Sequence, residues 1–424
     1  MTEITEKKAT RRDFLRAGAG AAAGGTIALA GSAQAGTGEA AILENQDWRQ
    51  DLGDPVDNAP YGMPSPFESE VKRRNVEWLT ADTVSSINFT PLHELDGIIT
   101  PNGLCFERHH AGTAHVDPAK HRLMINGLVD RQLVFTMEDI MRFPRENHVY
   151  FLECAANTGM EWRGSQLNGA QFTHGMIHNV MYTGVPLRLL LEEAGVKPEG
   201  KWLLAEGADS AAMTRSIPLE KALDDCLVAF KMNGESLRAE QGYPLRLVVP
   251  GWEGNMWIKW LRRLEIGDQP WHHREETSKY TDLMEDGKAR RFTYEIDAKS
   301  IITNPSPQAP ITHGPGPTVL SGLAWSGRGT IPRVDVTIDG GKNWHAARMS
   351  GPSFEKSMHR FYYEFDWDGN PLLIQSRAHD STGYVQPTRD ELRAFRGVNS
   401  IYHNNGIHTW AVNDLGEVEN VEIS

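Results

Sequence analysis

The sequence predicts an α+β protein in two parts, a mixed α/β half followed by a β-sandwich of immunoglobulin type. Three observations carry that prediction. Up to about Lys288, short strand patterns alternate with short helical ones. From about Ile301, short strands follow one another with polar turns between them and no long helix. The chain is also long enough, at 424 residues with 40% hydrophobic and 23% charged, to build more than one core of ordinary soluble composition.

The elements follow in order. Thr10-Arg11-Arg12-Asp13-Phe14-Leu15-Arg16 precedes a weakly apolar Ala/Gly run and then Ser32-Ala33-Gln34-Ala35. A charged start, a short apolar segment and an Ala-x-Ala end predict an export signal over residues 1–35, cleaved after Ala35. The arginine pair before Phe-Leu resembles the twin-arginine type, which predicts a periplasmic protein. No other segment approaches the ~18 apolar residues of a membrane span. Residues 36–90, rich in Gly, Pro, Asn and charge, predict an extended arm with a helical patch near Pro66–Leu79. His121–Gly127 predicts a strand ending in an Asn-Gly turn. Phe135–Pro144 predicts a short helix capped by Thr136 and stopped by Pro144. Met181–Ala194 has apolar positions at helical spacing (Leu187, Leu190, Leu191, Ala194), with Gly195 as C-cap. Trp202–Ala205, Cys226–Phe230 and Leu245–Pro250 are short strands. Pro305–Pro317 is the expected hinge, and Thr318–Trp325, Arg333–Gly341, Tyr362–Trp367 and Leu372–Ala378 supply the sandwich, with Asp339-Gly340-Gly341 as a hairpin turn.

Some chemistries are excluded early. A net charge of −13 without a basic patch argues against nucleic acid. No Gly-x-Gly-x-x-Gly after a strand, no phosphate-binding loop and no serine elbow is present. The three cysteines, Cys105, Cys154 and Cys226, form no CxxC pair.

The stretch that organises the rest is His148–Gly164. Val149, Tyr150, Phe151 and Leu152 read as a buried strand that opens at Cys154-Ala155-Ala156-Asn157 into a loop of small and polar residues. A cysteine at such a point is either a small buried hydrophobe or a thiolate held rigidly for a soft metal. Arg108-His109-His110 offers anion donors, though adjacent histidines on a strand point apart and cannot both chelate one metal. Arg246 and Lys259 flank apolar runs beside the turn Pro250–Gly254. Buried there, they need either a bound anion or ion pairs to Glu253 or Asp209.

Together, Phe106-x-Arg108-x-His110, Cys154-Ala-x-Asn157, Trp162-Arg-Gly164, Ser216-Ile-Pro-Leu219, Gly242-Tyr-Pro-Leu-Arg246 and Lys259-Trp260 stand in the order and spacing of the sulfite oxidase family of molybdopterin enzymes. Leu323-Ala-Trp-Ser-Gly327 and Val334–Gly341 resemble that family's C-terminal dimerisation domain, so the resemblance covers roughly residues 95 to 415. It implies a molybdopterin-binding catalytic domain over 91–300, a dimerisation sandwich over 301–424, and a molybdenum-molybdopterin cofactor with Cys154 as the metal's thiolate ligand. It implies cofactor contacts from Phe106, Arg108, His109, His110, Asp209, Gln241, Arg246, Trp257, Ile258 and Lys259, the Trp257 and Ile258 contacts being through backbone. Tyr280, Arg108 and Arg396 are implied as catalytic.

Departures from the family pattern bear on substrate. Cys154-Ala-Ala-Asn-Thr-Gly159 lacks the family's second arginine, and His109 and Gln241 stand where the family has asparagine and histidine. The family's haem domain has no counterpart, which predicts a separate acceptor. A site with fewer cations suits a bulkier, less charged sulfur species than free sulfite. The resemblance therefore points to the branch that oxidises sulfane sulfur on a carrier-protein cysteine during thiosulfate oxidation. The implied partner is a c-type cytochrome subunit, with a homodimer of this chain inside a heterotetramer. The alternative is a sulfite:cytochrome c dehydrogenase acting on free sulfite.

Overall fold

The computed structural model describes residues 61–80 and 82–423, so the expected signal and residues 36–60 of the expected arm lie outside the described residues. Besides a two-stranded sheet, Asp282–Leu283 with Ala289–Arg290, the strands of the first half form two five-stranded sheets. One runs Leu133–Phe135, Leu123–Gly127, Leu261–Gly267, Trp202–Gly207, Thr214–Pro218, with only the Leu123–Gly127/Leu261–Gly267 pair parallel. The other is antiparallel, in the order Glu146–Glu153, Ile177–Pro186, Leu227–Met232, Glu235–Ser236, with Arg246–Val248 also paired to Leu227–Met232. The helices Leu187–Ala194 and Leu219–Asp224 pack on each other and on strands of these sheets.

Local signals account for most boundaries. Helix Met137–Arg142 starts at Thr136, whose hydroxyl accepts from the Asp139 N–H while the Asp139 carboxylate accepts from the Thr136 N–H. The helix expected over Met181–Ala194 is only half helical. Met181–Pro186 completes a ten-residue strand, and Pro186, with no N–H for the ladder and φ −53°, starts the helix at Leu187. Leu187, Leu190, Leu191 and Ala194 are then fully buried, and Gly195 ends the helix at φ +70°. The helical patch expected near Pro66–Leu79 reduces to two single 3₁₀ turns, Pro66–Glu68 and Glu77–Leu79. Neither buries a residue, so no apolar face supports a longer helix.

The second half is a two-layer sandwich. One sheet is ordered Lys299–Asn304, Gly316–Trp325, His359–Trp367, Arg348–Ser350; the other is His345–Ala346, Arg333–Thr337, Leu372–His379, Thr409–Val412, Val418–Val421. Trp325, Val334, Phe361, Ile374 and Trp410 close its core. The expected hinge differs: residues 305–315 link Lys299–Asn304 to its antiparallel neighbour Gly316–Trp325, so this stretch connects two strands of one sheet. The sandwich also carries a capped helix, Arg389–Arg396.

The cores of the two halves meet at the Cys154 strand. Phe151 points into the sandwich core while the next residue, Leu152, points into the first core, as strand alternation requires. Beyond them, Glu153 is 2% exposed and accepts from Lys299 Nζ (2.8 Å), Asn157 Nδ2 (2.9 Å) and Trp325 Nε1 (2.6 Å). Lys299 is equally buried and comes from the sandwich. Replacing Lys299 with Met leaves that carboxylate buried without a cation. The expected cost is about 3–5 kcal/mol in denaturant unfolding of the cofactor-free protein, much of it recovered by adding Glu153→Leu.

Candidate cofactor and active site

Strand Glu146–Glu153 delivers Cys154 to the edge of a cavity. The loop that follows is tightly determined. Asn157 N–H donates to the Cys154 carbonyl (2.9 Å), the Asn157 side chain bridges Glu153, His174 O and Met176 N–H, and Thr158 turns the chain at φ +66°. The turn Pro250–Gly254 presses against this strand so closely that a Cβ on Gly254 would lie 2.8 Å from the Glu153 carbonyl. Glycine is required there by close approach.

The same cavity is lined by Phe106, Arg108, His109, His110, Asp209, Gln241, Arg246, Trp257, Ile258, Lys259 and Tyr280. Stretches far apart in sequence thus converge on Cys154. The adjacent histidines go separate ways: His109 sits between Glu107 Oε2 (3.0 Å) and Lys259 Nζ (3.0 Å), while His110 Nε2 meets the Tyr280 hydroxyl (3.2 Å). The Trp257 and Ile258 N–H groups donate within the protein, to Gly254 O and Met256 O (both 3.1 Å). Arg396 is the exception. It lies in a neighbouring cleft with Arg290, Arg291 and Arg328, and its guanidinium donates to Asp282 (3.1 Å).

The open question over Arg246 and Lys259 has a clear answer in the geometry. Glu253 pairs instead with Arg215 (3.1 Å) and His403 (3.0 Å), and among the described residues neither cation has a carboxylate within 4 Å. Arg246 is 3% exposed, donates to Gln241 and to Trp257 O, and leaves its Nε without a partner. Lys259 donates to Arg108 O and Glu240 O (both 3.1 Å) and to His109, all neutral acceptors. Two buried, uncompensated cations and an orphaned donor fit a ligand bearing an anionic group such as a phosphate. The polar atoms His178 Nδ1 and Asn255 Nδ2 of cavity-lining residues are also without partners, which suits a heteroatom-rich ring.

Burial first, and Arg246 beside it, push the Lys259 ammonium down to about 7, and burial with Arg108 pushes His110 down to about 4. Burial pushes the Tyr280 hydroxyl well up. At neutral pH, His110 is therefore neutral and Tyr280 keeps its proton. Tyr280 itself sits at φ +51°, under the Arg215 guanidinium at 5.4 Å and beside the Tyr402 ring at 5.2 Å.

For a metal, the described residues hold no group of three or more His, Cys, Asp or Glu able to cage an ion. Cys154 offers one sulfur, so a metal there must bring its other ligands with the cofactor. Sequence reasoning missed His178, Asn255, the buried Arg215–Glu253–Glu276 group and the Tyr402–His403 segment. Asn255 adjoins a flagged turn, but nothing local to Tyr402 marks it as reaching this site.

In the cofactor-free protein, a bound anion should restore the Lys259 proton. Sulfate, whose charge is constant in this range, is expected to bind up to about tenfold more weakly per pH unit above about 7, and Lys259→Met should flatten that slope. Calorimetric titration in buffers of different ionisation heat reads both. The sign for stability is opposite. Between about 7 and 10.5 the unfolded lysine holds a proton the folded one has lost, so this residue makes the cofactor-free fold more stable as pH rises.

Comparison with known proteins agrees with this chemistry. Residues 110–275 match the oxidoreductase molybdopterin binding domain, and residues 290–410 match the Mo-co oxidoreductase dimerisation domain. The chain is 31% identical over 338 residues to sulfite oxidase of Gallus gallus, covering 73% of each chain. It is 31% identical over 314 residues to mitochondrial sulfite oxidase of Rattus norvegicus, spanning only 57% of that protein and 69% of this one. Its fold is similar to the crystal structure of the sulfane dehydrogenase SoxCD from Paracoccus pantotrophus, with 63% identity and a TM-score of 0.89 over 91% of this chain and 99% of that one.

Proposed function

Because this chain belongs to the sulfite oxidase family of molybdopterin oxidoreductases, we propose that it oxidises sulfane sulfur carried on a cysteine of a carrier protein and passes the electrons to a c-type cytochrome. Its cofactor is molybdenum-molybdopterin. When bound, that centre supplies a two-electron oxidation with oxygen transfer to sulfur.

The residues divide the remaining tasks. Cys154 would be the metal's thiolate. Arg246 and Lys259, with Gln241 and Asp209 beside them, would hold the pterin's anionic end, and Phe106, Trp257 and Ile258 would wall its ring. Tyr280 presents a protonated hydroxyl, oriented by His110 Nε2 at 3.2 Å and by the Arg215 guanidinium. Arg108, which has no carboxylate within 4 Å among the described residues, would stabilise oxygen charge developing on sulfur. Arg396 would act at the substrate side from its neighbouring cleft, its charge shared with Asp282 and, at 4.0 Å, Asp297.

The observation that carries the substrate reading is Gly159. A Cβ there would run into the Ile401 carbonyl, so this loop has no room for the arginine whose absence marked the sequence. Arg215 and Lys299 nearby are already paired with buried carboxylates. With Arg108 as the uncompensated cation beside Cys154 and Tyr280, the site favours a sulfur of low charge over a free dianion. The 31% identity to sulfite oxidases favours a second reading, a sulfite:cytochrome c dehydrogenase.

The same proposal takes residues 91–300 as the cofactor domain and 301–424 as the dimerisation domain. It places the mature protein in the periplasm after twin-arginine export, as a homodimer within a heterotetramer with its cytochrome. No helix among the described residues is long and apolar enough to cross a membrane.

Steady-state reduction of a c-type cytochrome by the purified complex separates the readings: carrier-bound sulfane sulfur is expected to be turned over faster than free sulfite, and the reverse order selects the second reading. Cys154→Ser should abolish turnover while circular dichroism and sedimentation show a folded protein of unchanged size; substantial retained activity removes the ligand assignment.

A further inference from the structure

The segment 397–406 links helix Arg389–Arg396 to strand Thr409–Val412 and crosses over the Cys154 loop. It is tied down on both sides. His403 N–H donates to Ala155 O (2.8 Å), and Asn404 Nδ2 donates to Thr158 O (3.2 Å). His403 Nε2 meets the Glu253 carboxylate (3.0 Å), and the Ser400 hydroxyl donates to Asp282. The Ile401 carbonyl stands over Gly159, and the Tyr402 ring lies 5.2 Å from that of Tyr280, tilted by 35°.

Those contacts have one geometric result. The sandwich's own main chain takes the space in which the Cys154 loop would otherwise carry a side chain, and an aromatic ring flanks Tyr280. Tyr402 is half-buried, so part of it stays open.

We infer that this strap sets substrate choice and that Tyr402, beside Tyr280, is its specificity-determining residue, an aromatic face that accepts protein-bound sulfur and offers no positive charge to a dianion. This rests on the substrate reading above. An aromatic face offers apolar contact to a bulky thiol-derived group and no positive charge to free sulfite.

The test compares cofactor-loaded wild type, Tyr402→Arg and Tyr402→Ala at equal molybdenum content, with free sulfite and with carrier-bound sulfane sulfur. Tyr402→Arg should lower the KM for sulfite by about tenfold at low ionic strength, the gain shrinking with added salt and being carried by KM more than by kcat. Should the arginine variant fail to hold molybdenum, Tyr402→Ala decides: loss of the wall should raise the carrier-bound KM by about fivefold and the sulfite KM by much less. Equal effects on both substrates, or none, overturn the inference. A wild type that prefers free sulfite removes the substrate reading instead, and the sulfite KM of Tyr402→Arg still decides whether the strap faces the substrate.

Discussion

The buried pair of Glu153 and Lys299 is the constraint on which the rest of this molecule depends. A carboxylate next to Cys154 is costly to bury, and its cation comes from the first strand of the other half. Asn157 and Trp325 complete the coordination of Glu153, so one carboxylate fixes the strand end, the loop after it and the sandwich above it. Cys154 is rigid because the residue before it is.

The same logic explains why the sandwich is more than an attachment surface. It supplies Lys299 below the cysteine and the 397–406 strap above it, while Phe151 anchors the cysteine strand in its core. Around Tyr280, the catalytic half supplies Arg215 and His110, and the sandwich supplies Tyr402. The geometry of the site is therefore a property of how the two halves pack, and neither half holds it alone.

Much of this was legible in the sequence. The run from Val149 to Leu152 marked the strand, the small residues after Glu153 marked the opening, and cations inside apolar runs at Arg246 and Lys259 marked a place for an anion. These signals are local, and local patterns survive into the fold. Met181–Pro186 misled because the helical spacing beginning at Leu187 was extended back across a proline. Pro305–Pro317 misled because a proline-rich link between adjacent strands has the same composition as a hinge between domains. The strap was invisible for a deeper reason: Gly159 and Ile401 meet across 242 residues of sequence, and no periodicity encodes such a contact.

Arg246 and Lys259 also bear on how the protein is made. A chain folded without its cofactor buries the Arg246 charge and a Lys259 ammonium pushed down to about 7, with no carboxylate within 4 Å of either among the described residues, so the vacant form opens more readily than the loaded one. Binding of an anionic ligand to the native state alone draws the folding equilibrium towards it in proportion to concentration and affinity. Proteases that sample open chains would then clear vacant molecules and spare filled ones, with no dedicated inspector needed. Proofreading of cofactor insertion is thus built into the electrostatics of the pocket.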